Sequence, residues 1–384
     1  MRIALVDPVP SKTVYSVALL KLGAMLRAQG HDVVLHSGRL PEAGAADAIW
    51  ITTVFTFDIP KALGFCVEAR RRAPEVRVGG VAATLLPERF EKHGFEVYRG
   101  LMAEAEEMAP DYTLLSTLPD YSITHTSRGC IRKCAFCMVT RVEPDFVPRD
   151  WERDLCPGAG KILFYDNNWL AKDFDEWLRD VAIINRLVSS GAVRGIDFNQ
   201  GLDCRLLTPE RADAMRGLPI KPLRFAFDGP QEDGHLQRAI ERMASFGFRD
   251  FGVYVLYNFM DRPGYLYYRL RECTRLGESL RVSVAAFPMR YQPILEADTS
   301  REYVGRHWTA QQRKGFMALY SKQSVSGQVS QNSIADFEYW FGKTEAEFLA
   351  LLSYTDIREL AAKRKGAQRW RAAQERAGKL NGSE

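Results

Sequence analysis

The sequence predicts an α/β protein: an N-terminal parallel-sheet domain, then a second series of β/α units, then a helical C-terminal segment. Three observations predict it. Short apolar runs alternate with helical patterns through residues 1–110. Six further strand-like runs recur between residue 122 and about residue 290, with helical patterns between them. After residue 300 only helical patterns remain. Strands that alternate with helices require a parallel sheet covered on both faces.

Each element has its own signal. Residues 3–6 are a short apolar run, and Val17, Leu20, Leu22, Met25 and Leu26 then follow a helical period that Gly30 ends. Residues 33–35 and 48–54 read as strands and 59–71 as a helix. Residues 76–78 read as a strand running into Gly79-Gly80, followed by a helix near 87–93 and a strand at 95–98. A glycine pair directly after a strand lets a backbone come close to a ligand, although strand-to-helix turns use glycine for purely structural reasons as well. Residues 111–121 read as the linker. The second series of strands is expected at 122–126, 161–165, 195–199, 223–227, 251–257 and 282–287, with helices at 174–188, 209–215, 236–246 and 265–276.

Beyond Tyr291 the alternation stops, and helices are expected at 309–321, 345–353 and from about Thr355. Thr344 and Glu347 have the spacing of a capping box. Charge is uneven along the chain. Residues 301–384 hold 14 Lys/Arg against 9 Asp/Glu, a net +5, which leaves −1 for the rest of a chain whose total is +4. Residues 357–380 carry eight basic and two acidic side chains with Trp370 among them, and Lys365, Arg369 and Arg376 share one helical face. Such a face suits a phosphate backbone; a solvated tail is the plainer reading.

Composition is that of a globular chain, 46% apolar and 26% charged. No apolar run reaches the length of a membrane span. The Met1–Asp7 stretch reads as a strand rather than a signal peptide. Seven cysteines, an odd number with three of them clustered, fit a reducing cytoplasm better than a disulfide framework.

The cluster is Ser127-Arg128-Gly129-Cys130-Ile131-Arg132-Lys133-Cys134-Ala135-Phe136-Cys137, directly after the first strand of the second series. Three thiols on one short loop can bind three corners of an iron–sulfur cubane, and they leave one iron open to a substrate or cofactor. The other reading is a structural zinc site completed by His125 or Cys156, but zinc sites pair two short knuckles and one triplet is present here. Cys66, Cys156, Cys204 and Cys273 are scattered and read as buried apolar residues.

Cys130, Cys134 and Cys137, with Phe136 before the last, resemble the signature of the radical S-adenosylmethionine (SAM) enzymes. The resemblance implies a [4Fe–4S] cluster on the three cysteines, with SAM chelated on the open iron. It further implies an electron from a flavodoxin- or ferredoxin-like donor, and a 5′-deoxyadenosyl radical that abstracts hydrogen from the substrate. It makes the six β/α units (residues 122–295) a partial (β/α)6 TIM-type barrel between a Rossmann-like domain (1–110) and a helical basic extension (296–384). Asp166-Asn167-Asn168, after the second strand, stand where the family holds the SAM amino group, although its usual Gly-Gly-Glu is replaced. Phe136 would pack on SAM, and Gln200, Asp203 and Arg205 are second-rank contacts. Asp228 and Asp261, at later strand ends, read as cap or turn residues.

Residues 50–57, and 77–84 with Gly79-Gly80, resemble the cobalamin-binding-type domain that precedes many radical SAM barrels, although an Asp-x-His-x-x-Gly motif is absent. Residues 198–203, 225–228 and 305–309 resemble radical SAM proteins of phage and microbial genomes, which brings a nucleobase or nucleic-acid substrate into view. Three functions follow: radical modification of a nucleobase or nucleoside, cobalamin-dependent methylation of a small metabolite or peptide, and a zinc-stabilised nucleic-acid-binding module without catalysis.

Overall fold

A computed structural model describes residues 1–11, 14–295, 302–323, 328–331, 333–353, 356, 358–366 and 369. The chain divides into two compact units, Met1–Gln200 with Pro293–Arg301, and Gly201–Gln292 with Glu302–Glu384.

The first unit begins with β1 (Arg2–Asp7), α1 (Val17–Ala28), β2 (Asp32–Ser37), β3 (Ala48–Thr52), α2 (Ile59–Ala69), β4 (Glu75–Gly79), α3 (Val81–Leu85), α4 (Glu88–Glu91), β5 (Glu96–Val97) and α5 (Ala103–Glu106). The five strands form one parallel sheet in the order β2-β1-β3-β4-β5. Alternation along β1 shows how its two faces are covered. Ile3 and Leu5 join Leu19, Met25 and Leu26 of α1, whereas Ala4 and Val6 join Ile59, Ala62, Cys66 and Ala69 of α2. The strand order reverses between β1 and β3, and in such sheets ligands bind outside the carboxyl ends at that point. The helix expected near 87–93 is α4, and a further short helix, α3, precedes it directly after the glycine turn. Leu86 sits at φ −132° between α3 and α4 because the following Pro87 disfavours helical backbone before it.

The unit continues through β6 (Tyr121–Thr124), β7 (Ser127–Arg128), α6 (Val139–Val142), β8 (Val147–Pro148), β9 (Lys161–Phe164), α7 (Phe174–Ser189) and β10 (Gly195–Phe198). β10-β9-β6 is a parallel sheet, and α7 buries Trp177, Val181 and Ile184 on it. Phe164 stacks on Phe198 at 5.0 Å, and Trp169 stacks on Phe198 at 4.3 Å. Asp180, buried in the same layer, accepts hydrogen bonds from Trp151 Nε1, Trp169 Nε1 and Lys172 Nζ at 3.0, 3.1 and 2.7 Å. A buried carboxylate is tolerated when it is satisfied in this way.

The second unit contains α8 (Pro209–Ala214), β11 (Leu223–Ala226), α9 (His235–Ser245), β12 (Asp250–Tyr257), α10 (Pro263–Leu280), β13 (Ser283–Arg290), α11 (Ala310–Gln323), α12 (Ile334–Phe341) and α13 (Glu345–Ser353). β11-β12-β13 is again parallel. All six expected strands of the second series are therefore present, in two three-stranded ladders. α12 had no separate sequence signal. Its Phe337, with Phe348 of α13, packs on Tyr267 of α10, whose hydroxyl donates to Gly342 O at 2.9 Å. Glu347 N donates to Thr344 Oγ1, so Thr344 caps α13 as expected, but the return bond of the box comes from Lys343 N, which donates to Glu347 Oε2 in place of Thr344 N.

In the basic tail, residues 358–366 are helical. Lys363 pairs with Glu359 at 2.6 Å, and Arg364 donates to Trp340 O at 2.9 Å. Lys365 and Arg369 are described, whereas Trp370, Arg371 and Arg376 lie outside the described residues. Among the described residues no helix is long and apolar enough to cross a membrane.

One buried ion pair joins α1 to the segment before β9. Lys21 Nζ lies 2.7 Å from Asp154 Oδ1 and donates to Met108 O at 2.8 Å, with both side chains almost fully buried. Asp154 Oδ2 accepts from Thr124 Oγ1 of β6. Removing one partner strands the other in low dielectric. Asp154→Ala is therefore expected to destabilise the protein by about 3–5 kcal/mol, read as a lower urea midpoint. An unchanged midpoint would show that the pair contributes nothing.

Candidate active site: the clasped cysteine loop

The three clustered cysteines lie on a loop closed at its base by an antiparallel clasp, in which Ser127 of β7 faces Pro148 of β8 and Arg128 faces Val147. Arg149 N then donates to Thr126 O at 2.8 Å. Cys130, Cys134 and Cys137 are half-buried on this loop. Arg132 N donates to Cys130 Sγ at 3.3 Å, Asn168 Nδ2 stands 3.8 Å from the same sulfur, and Cys137 N donates to Cys134 O. The remaining four thiols are buried. Burial pushes Cys66, Cys204 and Cys273 up to about 12, and raises Cys156, so these groups stay protonated. Thiolates bind iron; only the loop triplet combines access with spacing.

Charged groups brace the loop from below. Arg128 donates through Nε and one terminal nitrogen to both oxygens of Glu106 at 3.0 and 2.8 Å, and through the other to Glu143 Oε1 at 3.2 Å. Burial by itself would raise the Glu106 carboxyl, but the hydrogen bonds and charge of Arg128 prevail and hold it below the usual range. Glu143 Oε2 accepts from Gly129 N at 2.8 Å and from Asn167 Nδ2 at 3.0 Å. His125, beneath the loop, is buried. Burial first, and then the charges of Arg128, Arg149 and Lys21, push it well below its ordinary value, so it is neutral. Cys156 is buried with its Sγ 3.8 Å from Pro119 O. Among the described residues no three His, Cys, Asp or Glu side chains converge as ligands of one ion.

The sequence-predicted residues take different positions. Asp166 is buried, and its oxygens accept from Thr126 N, Thr126 Oγ1 and Ser127 Oγ at 2.9, 2.7 and 2.9 Å. Burial raises its carboxyl despite those bonds. It therefore acts on the chain leading into the loop. Asn167 and Asn168 reach the loop itself through Glu143 and Cys130, and Phe136 is half-buried next to Cys137. Gln200 is exposed after β10. Within the second unit Asp203 takes both Nε and a terminal nitrogen of Arg205, at 2.7 and 3.1 Å, and Arg205 also pairs with Glu232 at 3.0 Å. The cost of burying Asp203 and Arg205 is thus met within that unit. Asp228 lies two residues beyond β11, where its Oδ1 accepts from Leu256 N at 2.9 Å. Burial pushes its carboxyl up to about 6. Asp261 pairs with the buried Arg269 at 3.0 Å.

The Gly79-Gly80 turn ends β4. Gly80 has φ +96°, and a Cβ there would stand 2.5 Å from Thr53 O and 2.8 Å from Thr52 Oγ1. Thr53 Oγ1 is buried, and among the described residues it has no hydrogen-bond partner. The helix that follows the turn, α3, packs against α6, which follows Cys137; Met138 and Val142 share a core with Val78, Ala82 and Leu85. Glu106 and Glu143 are the functional neighbours that sequence reasoning missed. They lie 22 and 15 residues from Arg128, and no local pattern marks them.

No protein-family model matches the chain, and no curated protein does. Among solved structures the chain is similar to TsrM from Kitasatospora setae, a radical S-adenosylmethionine methyltransferase with cobalamin and a [4Fe–4S] cluster bound. The TM-score is 0.53 over 75% of this chain and 74% of TsrM, at 13% identity. The likeness shows the fold alone: the chain shares the α/β architecture of that structure over three quarters of its length.

Gly129 sits at φ +73°, and a Cβ there would run into the Asp145 carbonyl on the returning side of the loop. Gly129→Ala must therefore open the clasp or displace Cys130. The variant is expected to lose 1–3 kcal/mol of stability and most of its capacity to take up iron in anaerobic reconstitution. Wild-type iron uptake by this variant would show that the clasp does not set the loop.

Proposed function

We propose that this chain is a radical SAM enzyme that cleaves S-adenosylmethionine reductively at a [4Fe–4S] cluster and uses the result to modify a substrate by hydrogen abstraction. The observation that carries the reading is the clasped loop of three half-buried thiols at the carboxyl end of β6, in a fold shared with a radical SAM methyltransferase. The donor set fits: three cysteines leave one iron open, and Arg132 N donates to the Cys130 sulfur. Bound there, the cluster supplies the electron that breaks the sulfonium bond of SAM, and a flavodoxin- or ferredoxin-like protein would supply that electron in turn. Cys130, Cys134 and Cys137 hold the iron. Phe136, Asn167 and Asn168 are the nearest candidates to orient SAM, with Asp166 fixing the loop entrance beneath them. Gln200, just after β10, stays a second-rank contact, whereas Asp203 and Arg205 satisfy each other and Glu232 within the second unit.

Cobalamin-dependent methyl transfer is a second reading, favoured by one specific observation. The Gly79-Gly80 turn, with the unpartnered Thr53 hydroxyl, borders the helix that packs on the end of the cysteine loop. Were cobalamin bound, the Gly79-Gly80 turn would let its tail approach the backbone, and the Thr53 hydroxyl would have a hydrogen bond to give it. A nucleic-acid substrate would draw on Lys365 and Arg369 of the tail.

Two measurements test these readings. Anaerobically purified protein is expected to be brown, to hold about four irons per chain and to cleave SAM once reduced. Alanine at any of Cys130, Cys134 or Cys137 should abolish both properties. Stoichiometric zinc without iron would instead favour the nucleic-acid-binding module. Protein reconstituted with hydroxocobalamin should retain corrinoid after desalting, and Thr53→Val should bind it about 3- to 10-fold more weakly through loss of one hydrogen bond. Complete loss of corrinoid from the unmutated protein removes the methyl-transfer reading.

A further inference from the structure

We propose that Glu143 is a positioning residue of the cysteine loop, one that fixes Cys130 from two sides and thereby sets the loading and reduction potential of the cluster. The inference rests on the radical SAM reading above. Glu143 follows α6 on the return of the loop, and its side chain is 13% exposed. A carboxylate this deep is costly unless it is paired. Arg128 offers that pairing, but both oxygens of Glu106 already hold Arg128. A brace for the guanidinium alone would not need the second carboxylate.

The second oxygen explains its presence. Glu143 Oε2 accepts from Gly129 N, the backbone group immediately before Cys130. The same oxygen accepts from Asn167 Nδ2, and the neighbouring Asn168 directs Nδ2 at Cys130 Sγ from 3.8 Å. One carboxylate therefore fixes the backbone that carries the first cysteine and the segment that presents an N–H to its sulfur. Net charge and hydrogen bonds to sulfur both tune a cluster's potential, and Glu143 acts on both. It touches no reacting atom and works through Gly129, Asn167 and Cys130.

The test uses Glu143→Gln and Glu143→Ala in the full chain, with iron content, thermal midpoint and cluster midpoint potential measured on each. Glutamine keeps an oxygen for Gly129 N and removes the negative charge. It should retain iron near the wild-type level while its reduction becomes at least tenfold more favourable, a positive shift of 59 mV or more for a one-electron couple. Alanine removes both bonds, and iron retained through desalting should fall several-fold. A purely structural Glu143 would lower the thermal midpoint of both variants and leave the potential unmoved, which overturns the proposal. If Glu143→Ala fails to fold, the glutamine variant decides the question through its potential. Wild-type protein without iron would instead sink the radical SAM reading and this inference with it, so the two failures are told apart.

Discussion

The cysteine loop depends on the Arg128 guanidinium and the two carboxylates that hold it. Arg128 immediately precedes Gly129, Glu106 belongs to the segment after the N-terminal sheet, and Glu143 belongs to the return of the loop. One planar cation thus ties three parts of the chain into a fixed geometry, and the bidentate fork makes that geometry directional. A lysine would supply the charge without fixing the direction. With the β7–β8 clasp, these ion pairs close off a loop of 18 residues, 129–146, between Arg128 and Val147, the kind of support that a site presenting three thiols at set positions needs.

The same economy recurs in other buried polar groups of the first unit. Asp166 is spent on Thr126 and Ser127, Asp154 on Lys21 and Thr124, and Asp180 on two indoles and a lysine. Each carboxylate is expensive to bury and each has several donors. They lie along the route from β6 into the loop and under the following β9–α7 connection. Satisfied buried charge is therefore concentrated where the cysteines leave the sheet. The second unit has its own closed set in Asp203, Arg205 and Glu232.

The N-terminal sheet contributes position as well as bulk. Its carboxyl rim carries the Gly79-Gly80 turn, and the packing of α3 on α6 brings that rim against the residues that follow Cys137. A glycine at φ +96° with backbone and threonine atoms against the missing Cβ cannot be exchanged for a larger residue without moving β3. The turn is thus a fixed feature of the fold, whatever occupies the space above it.

By itself the sequence determined the α/β alternation, the six strands of the second series, the end of α1 at Gly30, the cap of α13 and the cysteine triplet. Each of these is written in spacing over fewer than about 20 residues, where periodicity and turn chemistry act directly. Tertiary structure alone decided the division of the six strands into two ladders, the addition of α12 and the inward turn of Asp166. It also decided the identity of the residues that brace the loop. Asp166 meets Thr126 across 40 residues, and Lys21 meets Asp154 across 133. An isolated Asp or Glu in a sequence reads equally well as a cap, a ligand or a surface charge. Its role is settled only when folding brings a specific donor to within 3 Å, because burial then makes the unpaired alternative too costly.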